Sequence, residues 1–322
     1  MRNAFAAALV RAAQRDPRVV LLTGDHGYTL FDEFRRVCPD RYLNAGIAEQ
    51  NMVGVAAGLA KGGLRPIVYG LSAFTPVRVL EQIKLDVCYE QLPVLFIGDG
   101  AGVVYSTLGS SHQSTEDVAA LRAIPNMAIL SPADAREMTA CMELAGRTAG
   151  PVYLRMGKSD LGAVHSRRLS LAWGELCKLR EGTGDVAWIA TGSMVQTALA
   201  VSAQWAGSQV WSAPCLKPLD ALQVEAICRQ HRAVIVLEEH SVYGGLCSAV
   251  AEIACARTPT WVCPIGVQDR FSRCCGSYRY LMSEHELNAE AVAAQVREFL
   301  KRMPATLSRE VFSLGISASE AA

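Results

Sequence analysis

The stretch Arg65–Gly98, RPIVYGLSAFTPVRVLEQIKLDVCYEQLPVLFIG, decides the fold. It opens and closes on continuous apolar runs, Arg65–Gly70 and Pro93–Gly98, each the length of a buried strand. Between them Val77–Tyr89 reads as a helix, so the stretch is a βαβ unit. The same alternation spreads outward. Val19–Thr23, Met127–Ser131 and Pro151–Arg155 are further strand candidates, while Glu49–Gly62 and Ala133–Ala145 carry apolar and small residues at helical spacing. Such a pattern implies an α/β fold with a mainly parallel sheet covered on both faces. The first residues, MRNAFAAALVRAAQRDP, are apolar but broken by Arg11, Arg15 and Asp16. They read as an amphipathic helix ended by Pro17, not as a signal peptide.

A second α/β unit follows a change of composition. Leu161–Asp185 is polar, basic and glycine-bearing, and reads as a connection. Beyond it come strand candidates at Val186–Ala190, Gln209–Ser212, Ala233–Leu237 and Thr260–Pro264. Helices are expected from about Thr197, over Leu222–Arg229, from Gly244–Gly245 through Ala254, and around Ala289–Lys301. The expected organisation is a first domain at 1–162, a linker at 163–184, a second domain at 185–303 and a frayed tail at 304–322.

The 322 residues are 51% hydrophobic and 19% charged, enough to fill two cores. Lys plus Arg and Asp plus Glu both number 31, so no basic surplus points to nucleic acid or to an anionic membrane. No apolar run reaches the ~18 residues of a membrane span. Zero net charge on so apolar a chain gives little self-repulsion, which implies that another chain covers part of its surface. The 11 cysteines form no CxxC pair and read as reduced thiols used as small apolar residues, in keeping with a cytoplasmic protein.

Two places could carry chemistry. In Leu43–Gly54, LNAGIAEQNMVG, a strand-like stretch ends at Gly46 and Glu49 stands at the mouth of a Gly- and Ala-rich helix, near its positive backbone donors. In Ser110–Asp117, SSHQSTED, the pair Ser114 and Asp117 resembles a capping box, which places His112 in a loop just before a helix. Gly98-Asp99-Gly100 followed by Asn126 is spaced like the GDG…N motif that gives an Asp and an Asn to Mg²⁺. Here Asn126 lies in a turn and a second Asn is missing, so no metal site is expected. No GxGxxG follows a strand, and Walker A and GxSxG patterns are missing, which weighs against dinucleotide, NTPase and hydrolase readings.

As a set, GIAEQNMVGVAAGLA, SAFTPVRVLEQIKLDVCY, SHQSTEDVAALRAIPNMAILSPAD, GPVYLRMGK, VIVLEEHSVYGGLCSAVAE and IGVQDRF resemble the C-terminal half of the transketolase superfamily in order and spacing. The likeness runs from about Val20 to Leu300. It is to the pyrimidine-binding and C-terminal domains of transketolases and 1-deoxyxylulose-5-phosphate synthases. It implies a thiamine-diphosphate-dependent transferase in carbohydrate metabolism. Such an enzyme moves a two-carbon unit from a ketose or 2-oxo donor to an aldehyde acceptor. Full-length members carry an N-terminal domain for the diphosphate and Mg²⁺, whereas this sequence begins at the pyrimidine domain and resembles a split enzyme. The resemblance therefore implies an N-terminal-half partner subunit that holds the diphosphate and Mg²⁺, an α2β2 assembly, and active sites between chains. Competing readings are a β-type subunit of a 2-oxoacid decarboxylase or dehydrogenase, and a non-catalytic scaffold.

By the same resemblance, Glu49 matches the glutamate that hydrogen-bonds N1′ of the aminopyrimidine and shares its proton. Phe74 matches the aromatic that stacks on that ring. Asp25 and Ile47 are expected at the cofactor. His112 matches the histidine that contacts substrate oxygens, and Arg78 and Arg155 match arginines that bind a substrate phosphate. His26 and Tyr105 are placed near the substrate. The sequence also departs from transketolases. Leu108 stands where an acidic residue reads the donor's hydroxyls, Gly100 where a further histidine lies, and Val77 where a third aromatic lies. The expectation is a retained cofactor end with an altered sugar-reading end. Glu238, Glu239 and His240 are expected to serve structure or an interface, with His240 the first candidate for an exception.

Overall fold

Helix α1 (Arg2–Arg15) turns Phe5, Ala8, Leu9 and Ala13 inward and delivers the chain to strand β1 (Val19–Thr23), every residue of which is buried. The first unit continues through α2 (Asp32–Val37), β2 (Tyr42–Asn44), α3 (Glu49–Lys61), β3 (Arg65–Leu71) and the short α4 (Leu80–Gln82). It is completed by β4 (Leu95–Asp99), α5 (Asp117–Arg122), β5 (Ala128–Leu130), α6 (Ala135–Gly146) and β6 (Val152–Met156). The second unit holds β7 (Cys177–Arg180), β8 (Val186–Ala190), α7 (Met194–Ser202), β9 (Gln209–Ser212) and β10 (Cys215–Lys217). It ends with α8 (Ala221–Gln230), β11 (Ala233–Ser241), α9 (Leu246–Arg257), β12 (Trp261–Val267), α10 (Tyr278–Glu284) and α11 (Ala289–Arg302). The computed structural model describes residues 1–158 and 161–304. Of the expected tail, 305–322 therefore lies outside the described residues.

The first sheet has the order β10-β5-β6-β4-β3-β1-β2 and is parallel except for β10. The second has the order β12-β11-β8-β9-β7 and is parallel except for β7. Two features differ from expectation. Cys177–Arg180 lies within the supposed connection yet forms β7 on the second sheet. Cys215–Lys217, from the C-terminal half, crosses over as β10 to close the far edge of the first sheet. Strands of three and four residues carry too little periodicity to stand out in a sequence. The helix expected at Val77–Tyr89 is a mixed one, a 3₁₀ turn, one α turn and a π-helical stretch at Ile83–Cys88.

Apolar packing joins the two units. One cluster runs from Val20, Leu22, Met52 and Val68 through Ala187, Val234 and Val250. A polar seam lies beside it. Glu239 of β11 accepts the Val103 N–H at 2.8 Å and the Tyr278 hydroxyl at 2.6 Å, and it also accepts from the Ser193 hydroxyl. Gly102, with φ +72°, leaves room for that carboxylate, because a Cβ there would meet it at 2.4 Å. No helix among the described residues is long and apolar enough to cross a membrane.

The sheet order fixes where chemistry can sit. Strands β4, β3, β1 and β2 are neighbours and point the same way, so their C-terminal ends and following loops open on one edge. Helix α3 leaves that edge with Met52, Val53, Ala56, Ala57 and Ala60 against the sheet, an apolar stripe at helical spacing.

Candidate active site

All but one of the residues picked out from the sequence gather at this edge. Asp25 and His26 follow β1, Ile47 and Glu49 follow β2, Phe74 and Arg78 follow β3, and Tyr105 and His112 follow β4. Four of them touch in series. Glu49 is the first residue of α3 and only 7% exposed, so its carboxylate sits at the positive end of that helix. The Arg78 guanidinium donates to Glu49 Oε1 at 3.1 Å and lies over the Phe74 ring, 3.9 Å from its centroid. His112 packs edge-on against the same ring at 5.2 Å. Its Nδ1 is hydrogen-bonded to Ser111 Oγ at 3.0 Å, and Nε2 has no hydrogen-bond partner among the described residues.

Beside this group lies a second one, which includes Tyr105 and His26 and centres on a carboxylate that the sequence disclosed only within the spacing of a GDG…N motif. The Asp99 carboxylate is buried at the end of β4. It accepts from the Tyr69 hydroxyl at 2.6 Å and the Tyr105 hydroxyl at 3.3 Å, with Arg2 Nε 3.7 Å away. Burial and the Asp99 charge raise both phenols above their ordinary range, so Tyr105 is a neutral donor here. His26 packs against Tyr69, with ring centroids 5.7 Å apart, and its Nε2 is buried without a partner among the described residues. Burial holds its imidazole below the ordinary 6.5, which keeps it neutral near pH 7. The Gly98-Asp99-Gly100 signal thus marked a real strand-end carboxylate, used for hydrogen bonding. Asn126 is elsewhere, in a turn with φ +65°, donating to the Cys88 carbonyl at 3.0 Å.

The glycine at position 100 has a steric basis. Gly100 has φ +77°, and a Cβ there would fall 2.0 Å from the Tyr105 ring. Tyr105 therefore fills the space that a larger side chain at position 100 would need. Leu108 is 52% exposed, Ile47 is 81% exposed ahead of α3, and Asp25 accepts the Tyr28 hydroxyl at the surface at 2.9 Å.

Arg155 is a correction. It lies within β6 rather than beyond it, in a sheet covered on both faces, and is 3% exposed. Its Nε donates to Asp117 at 2.8 Å, and its Nη2 donates to the Glu239 and Ser114 carbonyls at 2.8 and 3.1 Å. It cross-links β6, α5 and β11 and offers nothing to a substrate phosphate. The expected capping box is corrected by the same contacts. Asp117 takes Arg155 and the Tyr153 hydroxyl, Ser114 Oγ donates to the Ser72 carbonyl, and α5 starts without a side-chain cap. Glu238, Glu239 and His240 are buried in structural roles. Glu238 accepts the Leu246 and Cys247 N–H groups at the start of α9, and His240 Nε2 accepts from Ala119 N.

Comparison with known proteins agrees with this architecture. Residues 1–163 match the family model described as transketolase, pyrimidine binding domain, and residues 174–270 match transketolase, C-terminal domain. The chain is 34% identical over 307 residues to the 6-deoxy-6-sulfo-D-fructose transketolase subunit SqwH of Clostridium sp. (strain MSTE9), covering 94% of this chain and 95% of that one. It is 32% identical over 307 residues to a subunit of the apulose-4-phosphate transketolase of Phocaeicola vulgatus, covering 94% and 97%. Among solved structures it superposes on a split gene transketolase, described as an inactive beta4 tetramer, with TM-score 0.84 and 36% identity over 93% of this chain and 97% of that one. The fold, the strand-end site and these likenesses agree: the chain belongs to the transketolase family, of which it carries the pyrimidine-binding and C-terminal domains.

Proposed function

We propose that this chain is the cofactor-activating half of a two-subunit, thiamine-diphosphate-dependent transketolase. A partner carrying the diphosphate- and Mg²⁺-binding domain completes the active site. The contact series Glu49, Arg78, Phe74 and His112 at one sheet edge carries this reading. It fits an aminopyrimidine, because a planar nitrogen-bearing group already rests on Phe74 while donating to Glu49. Thiamine diphosphate, when bound, supplies the electron sink that allows a bond beside a carbonyl to break.

The chain's own residues position groups and manage protons. Glu49 holds and returns a proton at N1′ of the pyrimidine, its carboxylate fixed by the start of α3. Phe74 sets the plane of the ring. His112 keeps its ring oriented through Ser111 and presents Nε2 to a substrate oxygen. Tyr105 and His26 supply neutral polar contacts where the sugar-reading residues differ. The similar subunits are named for sugars bearing a sulfo or a phosphate group, which favours an anionic ketose donor here, with a two-carbon unit passing to an aldehyde. Of the two arginines expected for such a group, only Arg78 is accessible. A split transketolase similar to this chain is described as inactive as a beta4 tetramer, which supports the need for a partner; the proposed assembly with that partner is α2β2.

Mixing the chain with its N-terminal-half subunit, Mg²⁺ and thiamine diphosphate should restore turnover that neither subunit has alone. Glu49→Ala should lower that turnover by about 100-fold or more with an unchanged unfolding midpoint. Tight binding of Mg²⁺–thiamine diphosphate by this chain alone would sink the divided site.

A further inference from the structure

We infer that Arg78 is a placeholder for the aminopyrimidine. Its guanidinium fills the slot between Glu49 and Phe74 and must swing out before the ring can enter. This deepens the functional reading above and rests on it. A ring that reads this site must donate to or share a proton with Glu49 while lying flat on Phe74. Arg78 already donates to that carboxylate at 3.1 Å and holds its guanidinium carbon over the ring, 3.9 Å from the centroid. At that distance no second planar group fits on the face of Phe74 that looks toward Glu49. The two occupants are mutually exclusive.

The arrangement has a physical reason. Without a ligand, Glu49 would be an almost buried carboxylate lacking a cationic partner, which is costly. A guanidinium is planar, delocalised and weakly hydrated, so it can pair with the carboxylate and stack on the aromatic at once, as an ammonium cannot. The Arg78 side chain is close to half exposed and springs from the 3₁₀ turn Val77–Val79. Rotation about its own bonds releases it without repacking the interior. One consequence is an order of events. The guanidinium becomes available to an anionic substrate group only after the pyrimidine has taken Glu49 and Phe74 from it.

The test uses 4-amino-2-methylpyrimidine, which has no phosphate, titrated into the full chain and followed by NMR of the arginine side chains. The Arg78 side-chain signals should be displaced by the Phe74 ring current in the free chain and return toward the position of a solvated arginine at saturation. Arg78→Ala should bind the probe about 5- to 10-fold more tightly, the gain from no longer displacing an ion pair and a cation–π contact. Arg78→Lys should fall between the two. Phe74→Ala and Glu49→Ala should weaken binding. Unmoved Arg78 signals, or an Arg78→Ala affinity equal to or below that of the native chain, would overturn the placeholder role while leaving the slot intact. Undetectable binding to both proteins would overturn it too. If Phe74→Ala and Glu49→Ala bind as well as the native chain, the slot is elsewhere and the functional reading falls with the inference.

Discussion

Two arginines looked alike in the sequence and do opposite work in the structure. Arg78 is a half-exposed side chain on the 3₁₀ turn beyond β3, whereas Arg155 is sealed inside β6 against the equally buried Asp117. Removing one partner of a buried pair strands the other charge in a low-dielectric interior. Arg155→Ala should therefore cost about 3–5 kcal/mol in urea unfolding. Arg78→Ala, whose ion pair is screened by solvent, should change stability by less than about 1 kcal/mol. Similar losses in the two variants would contradict this division of labour. Glu49 was legible because its position before a Gly- and Ala-rich helix is written in LNAGIAEQNMVG. The burial of Arg155 was not, because YLR reads the same whether it ends a strand or lies within one.

At the scale of the element, Asp134 is the clearest case of one residue serving two segments. It caps α6 by accepting from Arg136 N and Glu137 N, and its other oxygen accepts from Val164 N and His165 N of the connection between the domains. Burial pushes its carboxyl upward, but the backbone donors outweigh this and hold it below its ordinary 3.8. A folded-state value below the unfolded one means that the native state resists protonation. The stabilisation is complete above the unfolded value and is lost as pH falls through the folded one. Stability measured from pH 6 downward should drop below about pH 4, and Asp134→Asn should be less stable at pH 6 and show a shallower acid limb. An acid limb of unchanged slope in Asp134→Asn would refute the assignment. The reading of Ala133–Ala145 as a helix did not single out Asp134 as its cap, and the ties to residues 164 and 165 needed the folded connection.

For the whole molecule, the decisive feature is that neither half is complete alone. Strand β10, from the C-terminal half, closes the edge of the first sheet on β5, the apolar cluster spans both units, and Glu239 and Arg155 tie them together. A shared core and an exchanged strand predict one cooperative transition rather than two. Four of the five tryptophans, Trp188, Trp205, Trp211 and Trp261, lie in the second unit, and Trp173 packs on the core of the first, so their fluorescence is weighted toward the second unit. Its urea midpoint should coincide with that of far-UV circular dichroism, which reports both. Separated midpoints would mean domains that unfold independently.

By itself the sequence determined the α/β class and most strands and helices, while the resemblance of its motifs to a known family picked out the residues that lie around Glu49. The elements rest on local periodicity and the resemblance on stretches of contiguous residues, and such local signals survive in one dimension. Tertiary structure alone decided the rest. It made Arg155 a buried cross-link, gave Asp99 to Tyr69 and Tyr105, paired β10 with a strand of the other half, and laid Arg78 between Glu49 and Phe74. Burial and partnership depend on which distant segments pack together. Two arginines in similar sequence surroundings can therefore end up one in the interior and one at the mouth of the site.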